Sequence, residues 1–291
     1  MTPADEHPSA GTERTALAPL LASAAADLEK AGVDSSRAEA EQIAAHVLDV
    51  HRGRLALIDT VRADEQRRIA DLVARRATRV PLQHLLGTAA FRYLELAVGD
   101  GVFVPRPETE LLAGWGIEHV RPGATVVDLC SGTGALALSV AHEAAPGRVV
   151  AVERSPAALV WLRRNASAYP VVEVVPGDVT DPDLLAGLRG GVDVVLCNPP
   201  YVPDGTAVPP EVADHDPAEA VFGGADGLTV IRPVVGLAAG LLRPGGVVGI
   251  EHDDVHADAV PALLGADGRF TDVTGHRDLS GRPRYATARR R

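Results

Sequence analysis

The chain has little cysteine, little aromatic character, almost no lysine and no long apolar run. Only Cys130 and Cys197 occur in 291 residues, far apart in sequence and in neither a CxxC pair nor a Cys/His cluster. That excludes a disulfide framework and a structural zinc site, so no metal is expected and a reducing, cytoplasmic setting fits. No stretch of about 18 apolar residues occurs, and the opening MTPADEHPSAGTER is polar and acidic where a secretory leader is basic and then apolar. Neither a membrane span nor a leader is expected. Lys30 is the sole lysine, a skew expected from GC-rich coding. Basic charge is in deficit, with 28 Lys+Arg against 39 Asp+Glu and a net charge of −11, which argues against a generalised nucleic-acid binder. What is present is globular: 46% hydrophobic and 23% charged residues, in a length that suggests two domains.

Residues 1–14 carry Pro, Ser, Thr and charge without apolar period, and read as a disordered tail. Residues 15–90 read as a small helical domain. One helix places Leu17, Leu20, Leu21 and Leu28 on a face; a second follows Asp34 or Ser35 as N-cap and carries Ala40, Ile43, Ala44 and Val47. A third, from about Arg62 to Arg79, has Ile69, Leu72 and Val73 inward and Arg67, Arg68, Arg75, Arg76 and Arg79 elsewhere, a solvated face or a docking face. Residues 91–104, FRYLELAVGDGVFV, predict a β-hairpin connector turning at Gly99-Asp100-Gly101. Pro105 and Pro107 stop it, and a helix is expected from Glu108 to His119.

From there to residue 291, apolar runs at Thr125–Leu129, Val149–Val152, Val171–Val175, Val192–Cys197 and Val247–Ile250 alternate with helical stretches. Two more strands are expected about Ser280-Gly281. This is an α/β pattern with a doubly wound parallel sheet covered on both faces, whose ligand edge is the carboxyl end of the strands.

The first strand of that sheet runs Asp128-Leu129 into Cys130-Ser131-Gly132-Thr133-Gly134 and then a helix. The glycines permit a tight turn and close approach of backbone to a ligand, and Ala137 permits close helix packing. The second strand ends in Glu153, whose carboxylate can accept both hydroxyls of a ribose diol. The third leads to Asp178-Val179, where a carboxylate could meet an adenine amino group and an apolar side chain lie on the ring, or simply make a turn. A nicotinamide dinucleotide and S-adenosylmethionine (SAM) both suit this loop, and the fingerprint does not separate them.

The fourth strand separates them. It ends in Asn198-Pro199-Pro200-Tyr201. Two prolines remove donors and fix φ, so the Asn198 Oδ1 and the Pro199 carbonyl become a rigid pair of acceptors. A planar nitrogen, amide or aromatic amine, has a delocalised lone pair and attacks only if its N–H groups are gripped and its lone pair aimed. Tyr201 offers a face for stacking, or packs. Positive charge grows on nitrogen as it takes a methyl, and acceptors already in place stabilise it, so no His or Asp base is required. His252 and His256 are given structural or solvated roles.

In order, DLCSGTGALAL, AVERSP, GDV and NPPYVP resemble the motifs of class I, seven-stranded (Rossmann-like) SAM-dependent methyltransferases acting on exocyclic or amide nitrogens. VFVPRPETELL, DPAEAVFGGADGL, LLRPGGVVGIEH and RDLSGRPRYATARR narrow the resemblance to the HemK/PrmC family of peptide chain release factor glutamine methyltransferases. It spans roughly residues 80–291, and the helical domain is of the right size and kind. The resemblance implies methylation of the glutamine amide in the Gly-Gly-Gln motif of release factors from SAM. It implies a cofactor set of Asp128, Cys130, Ser131, Gly132, Thr133, Gly134, Glu153, Asp178, Val179 and Asn198. Asn198 and Pro199 become the catalytic residues, and Pro200, Tyr201 and Phe103 complete the substrate set. It also makes the helical domain a docking element for the release factor. A monomer without DNA or membrane partners is expected. Cys130 departs from the family's usual Gly, and Glu153 from its usual Asp.

A nucleic-acid N6-adenine methyltransferase shares the Asn-Pro-Pro-Tyr chemistry, but residues 1–90 hold 11 basic against 13 acidic residues, a poor footprint for DNA. Glutamine methylation of a ribosomal protein shares the chemistry entirely. A dehydrogenase has no use for the clamp, and a SAM-sensing scaffold no need of an intact one.

Overall fold

A computed structural model describes residues 14–291, in two compact units that divide between Leu86 and Gly87, ahead of the expected boundary at residue 90. The tail reading for residues 1–13 lies outside the described residues. Arg14, assigned to that tail, instead opens strand β1 (Arg14–Ala16), paired antiparallel with β2 (Thr60–Arg62). Three-residue strands are too short for alternation to register in a sequence.

The first unit is α1 (Leu17–Lys30), α2 (Ser36–Leu48), α3 (Ala63–Ala77) and α4 (Leu82–Leu86). Leu17, Leu21, Ala24 and Leu28 fall on one face of α1 and bury against Ala40, Ile43, Ala44 and Val47 of α2 and Ile69 and Val73 of α3, while Leu20 is only partly buried. Ser35 holds the N-cap position of α2 without a side-chain capping bond. Helix α3 starts where the Glu65 carboxylate accepts the Arg62 N–H at 2.8 Å.

The arginine face of α3 is not uniform. Arg67, Arg68 and Arg75 are exposed, but Arg76 is 5% exposed, with its guanidinium on both oxygens of Glu39 and on the Val80 carbonyl. Arg79 donates to the carbonyls of Ala31 and Gly32. Periodicity separates charged from apolar positions, but a buried arginine with a carboxylate across the bundle carries the same letter as a solvated one.

In the second unit the connector is a hairpin, shifted toward the N-terminus. Strands β3 (Thr88–Phe91) and β4 (Leu94–Ala97) pair Thr88 with Ala97 and Phe91 with Leu94, so the chain reverses at Arg92-Tyr93 and not at Gly99-Asp100-Gly101. Arg92 takes a left-handed φ of 51° there, with its N–H on the Glu110 carboxylate at 3.0 Å and its guanidinium on both Glu143 oxygens at 2.6 Å. These tertiary bonds outweigh the local Gly-Asp-Gly preference, which makes a separate turn closed by Val102 N–H on the Gly99 carbonyl. Residues 102–104 then run outside any strand, with Val102 and Val104 buried.

Helix α5 (Thr109–His119) leads into β5 (Thr125–Leu129), α6 (Ala135–Glu143), β6 (Arg148–Glu153), α7 (Pro156–Ala166), β7 (Val172–Pro176) and β8 (Val192–Cys197). Short helices α8 (Pro210–His215) and α9 (Ala218–Val221) precede α10 (Ile231–Leu241), β9 (Leu242–Glu251), α11 (Ala259–Ala266), β10 (Phe270–Arg277) and β11 (Pro283–Arg290). The seven strands are ordered β10-β11-β9-β8-β5-β6-β7; the five from β9 to β7 run parallel, and β11 pairs antiparallel with both β9 and β10. The closing turn is held by Asp278, whose Oδ1 accepts the N–H groups of Ser280 and Arg282.

Central strands are apolar along most of their length, Asp128 of β5 and Asp193 of β8 excepted, because both faces are covered. Val127, Leu129, Val195 and Cys197 pack toward Ile231, Val234 and Leu264 of α10 and α11. Val126, Ala151, Val194 and Leu196 pack toward Leu112, Leu138 and Leu162 of α5, α6 and α7. At roughly 1.5–3 kcal/mol per buried aliphatic side chain, this double layer is the main stabilising term. It sets the ends of β5, β6, β7 and β8 along one edge.

Immediately past β5, Cys130 takes a left-handed φ of 60°, a conformation costing a non-glycine residue roughly 1–2 kcal/mol, against which glycine's extra unfolded-state entropy is set. Cys130→Gly is therefore expected to raise stability in urea unfolding by up to about 1 kcal/mol, and Cys130→Ala not to raise it. In the helical unit, Arg76→Ala strands the Glu39 charge and should cost about 3–5 kcal/mol. Arg67→Ala should stay within about 0.5 kcal/mol of wild type.

Candidate active site

The loops after the parallel strands line a cavity of about 530 Å³, within the range of small-molecule sites. Asp128, Cys130, Ser131, Gly132, Thr133, Glu153, Asp178 and Val179 form one part of its wall, and Phe103, Asn198, Pro199, Pro200 and Tyr201 another. Of the residues expected in the site, Gly134 does not face the cavity. It opens α6 at φ 87°, where a Cβ would stand 2.7 Å from Leu162 Cδ1, so its place is behind the loop, where helix and sheet approach.

The cradle is tied by its own backbone. Ser131 N–H donates to the Val152 carbonyl at 2.9 Å and Ser131 Oγ to the Asp128 carbonyl, so the loop after β5 is fastened to β6. Asp128 is buried, with Oδ2 accepting the Ala137 N–H at 3.1 Å and Oδ1 unpartnered; burial pushes its carboxyl up to about 7. Glu153 Oε1 accepts the N–H groups of Arg154 and Ser155, and Oε2 accepts that of Gly132, each at 2.8 Å. The methylene that Glu has beyond Asp thus carries the carboxylate across to the glycine loop. Oε2 keeps one lone pair for a ribose hydroxyl, so the two-acceptor reading is only half available in this arrangement. Asp178 Oδ1 accepts the N–H and hydroxyl of Thr180, an Asx turn that, with Arg154 at 3.5 Å, holds its carboxyl below the usual range. Its Oδ2 is the oxygen that Arg154 faces.

These observations suit SAM. A glycine-containing loop open to the cavity, a strand-end carboxylate with a free lone pair, Val179, and the orphan Asp128 Oδ1 as acceptor beside a cationic ligand are the donor set such a molecule needs.

On the other side, Asn198 Nδ2 donates to Thr109 Oγ1 at 3.2 Å, and Tyr201 donates its hydroxyl to Glu251 Oε1 at 3.1 Å. Glu251 ends β9 fully buried, and burial pushes its carboxyl up to about 7. The Asn-Pro-Pro-Tyr backbone is backed by the Gly-Gly-Ala-Asp-Gly segment: a Cβ on Gly223 would stand 2.6 Å from the Pro200 carbonyl. Arg106, stacked 4.8 Å over the Phe103 ring, pairs with the buried Asp216 at 2.9 Å and so ties the 103–107 wall to the end of α8. Burial raises the Asp216 carboxyl to about 6.

Sequence reasoning missed Thr109, Glu251, Arg106 and Asp216. Thr109 and Arg106 stand inside the quoted VFVPRPETELL, and Glu251 ends LLRPGGVVGIEH, but only the fold shows that they meet the clamp. His252 and His256 are buried on backbone carbonyls and outside the cavity wall. The two cysteines, remote in sequence, lie in one apolar cluster as free thiols. Among the described residues no helix is long and apolar enough to cross a membrane.

Comparison with known proteins finds relatives of both units of the chain. Residues 19–87 match the PrmC N-terminal domain and residues 109–215 the methyltransferase small domain. A release factor glutamine methyltransferase of Mycolicibacterium smegmatis is 53% identical over 95% of this chain and 98% of its own length. One from Mycobacterium tuberculosis is 49% identical over 92% and 89%. Among solved structures, a ribosomal protein L11 methylase from Lactobacillus delbrueckii subsp. bulgaricus is similar over 66% of this chain and 82% of that one, with 19% identity and a TM-score of 0.47. Since relatives at this level of identity are matched over more than nine-tenths of this chain, through the helical unit as well as the sheet, the chain belongs to the release factor glutamine methyltransferase family.

Proposed function

We propose that this protein transfers a methyl group from SAM to the side-chain amide nitrogen of the glutamine in the Gly-Gly-Gln motif of peptide chain release factors. The observation that carries this reading is the Asn198-Pro199-Pro200-Tyr201 clamp opening into the same cavity as the nucleotide cradle. SAM supplies the electrophilic methyl on a sulfonium. The glutamine nitrogen is held by its two N–H groups, on Asn198 Oδ1 and the Pro199 carbonyl, which fixes the amide plane and aims its lone pair toward the methyl. When bound, SAM would give up its methyl and keep the electron pair of the broken C–S bond on sulfur, and the nitrogen, cationic once the N–C bond had formed, would lose a proton to solvent. Acceptors fixed beforehand stabilise that charge without reorganising. Phe103 and the flanking prolines provide an apolar passage for the aliphatic part of the glutamine.

The family membership favours the release factor over a ribosomal protein or an adenine as acceptor. The helical unit is read as its docking element, through the exposed Arg67, Arg68 and Arg75; Arg76 and Arg79 are committed to internal bonds.

The reading is tested by mass spectrometry of an unmethylated release factor incubated with SAM and the protein. One added methyl on the Gly-Gly-Gln glutamine is expected. Asn198→Ala should lower turnover at least about 10²-fold with SAM affinity changed much less, and equal turnover would remove Asn198 from the chemistry. Reversing charge at Arg67, Arg68 and Arg75 together should weaken methylation of intact release factor more than of a short glutamine peptide. Equal effects would detach α3 from docking.

A further inference from the structure

Helix α7 touches both halves of the site. Ala157, Trp161 and Asn165 recur at intervals of four and form one stripe along it. The segment after β4 runs down that stripe in the opposite direction. The Asn165 amide takes both backbone polar groups of Ala97, accepting its N–H at 2.8 Å and donating to its carbonyl at 3.0 Å, as the peptide of a neighbouring strand would. A Cβ on Gly99 would stand 2.5 Å from Trp161 Cζ2, and one on Gly101 would stand 2.8 Å from that of Ala157. Trp161 Nε1 donates to the Asp100 carbonyl at 3.1 Å. Val98, Val102 and Val104 are buried in one cluster with Ala158, and Trp161 packs against it. Phe103, between two of these valines, faces the cavity.

The same asparagine reaches the cofactor loop. Its Nδ2 also donates to the Thr133 carbonyl at 3.0 Å, and Leu162 fills the space beside Gly134. Thr133 is 3% exposed and lines the cavity. The two carbonyls use both Nδ2 hydrogens and the Ala97 N–H uses Oδ1. The amide turned over would make none of the three bonds, so its orientation is fixed.

We propose that Asn165 is a positioning residue that ties the cofactor loop to the substrate wall and so keeps the two halves of the cavity at one spacing; the inference rests on that cavity holding SAM and the glutamine. The clamp needs no such tie, because the β5–β8 pairing already fixes it against the loop after β5. The wall has no equivalent. Strands β3 and β4 form a sheet of their own, and residues 98–108 join no strand of the seven. Arg106 fastens the far end of the wall to Asp216, beyond α8, and not to the cofactor loop. The register of wall against loop is therefore left to side chains, and Asn165 is bonded to the loop and to the residue from which the wall departs.

The test uses the full-length protein, SAM and intact release factor. Asn165→Ala removes all three bonds, while Asn165→Asp keeps the shape and turns a carboxylate oxygen toward two carbonyls. Each should raise the SAM Kd measured by calorimetry about 10-fold and lower kcat/KM for the release factor about 10²-fold, with Asp at least as damaging as Ala. Gly99→Ala pushes the wall off Trp161 and leaves the cofactor loop alone. It should raise KM for the release factor about 10-fold while SAM affinity stays within about 3-fold. An asparagine that serves stability alone would lower the urea midpoint of Asn165→Ala and leave Kd and KM at their wild-type values in the folded protein, which overturns the inference. So does an Asn165→Asp protein with wild-type constants, since the position would then act by packing. Gly99→Ala keeps the asparagine in place and decides the wall half even where an Asn165 variant does not fold; a wild-type KM there overturns it. A wild type that binds SAM and leaves the release factor unmethylated overturns the glutamine reading instead.

Discussion

The pairing of β5 with β6 on one side and with β8 on the other is the constraint from which the site follows. Leu129 stands level with Val152 in one pairing and with Cys197 in the other. The cradle after β5, the carboxylate ending β6 and the clamp after β8 therefore emerge side by side at one edge of the sheet. A slip of one residue in the β5–β8 pairing would turn Leu196 and Cys197 to opposite layers and re-aim Asn198. The double-faced apolar core makes such a slip costly, because each strand position is already committed to one layer or the other.

What this arrangement produces is an edge where polar groups are fixed by the fold before any ligand arrives. Glu153 is bound to the glycine loop, Ser131 to β6, Asn198 to Thr109 and Tyr201 to Glu251. The acids around the cavity divide into two kinds. Glu153 and Asp178 are met by backbone N–H groups, and for Asp178 that bonding holds the carboxyl below its usual range. Asp128, Asp216 and Glu251 are instead buried with few partners, and desolvation raises all three. A site that must favour a cation and yet keep its acceptors correctly oriented gains from having both.

The sheet was legible in the sequence because a fully covered parallel strand leaves a continuous apolar run, and each such run became a strand. The glycine loop, Glu153 and Asn-Pro-Pro-Tyr were legible because turn chemistry and ligand chemistry demand particular residues in a row. The hairpin was misplaced for the opposite reason: its turn at Arg92 is chosen by Glu110 and Glu143, distant in sequence, against the stronger local signal at Gly99-Asp100-Gly101. Arg76 was misjudged because burial of a charge depends on a partner across the bundle. Thr109 and Glu251 were out of reach for the same reason, since their meaning is a hydrogen-bond partner and not a residue type.

The clamp alone does not explain why a glutamine amide and not an adenine amine would be its occupant, since both present two N–H groups in a plane. The discrimination must come from the walls. A base needs a broad flat slot on both ring faces, whereas a glutamine needs a narrow apolar passage for two methylenes and room for a peptide at its mouth. In this chain the wall facing the clamp is the 103–107 segment, where Phe103 is pinned under the Arg106 guanidinium and Arg106 is pinned in turn by Asp216. Because Asp216 is buried, with its side chain 0% exposed, releasing that wall would strand a charge, which gives the segment a reason to stay where it is. In the proposed reading the clamp supplies the chemistry common to planar nitrogens, and the pinned wall is the part of the site with the means to choose among them.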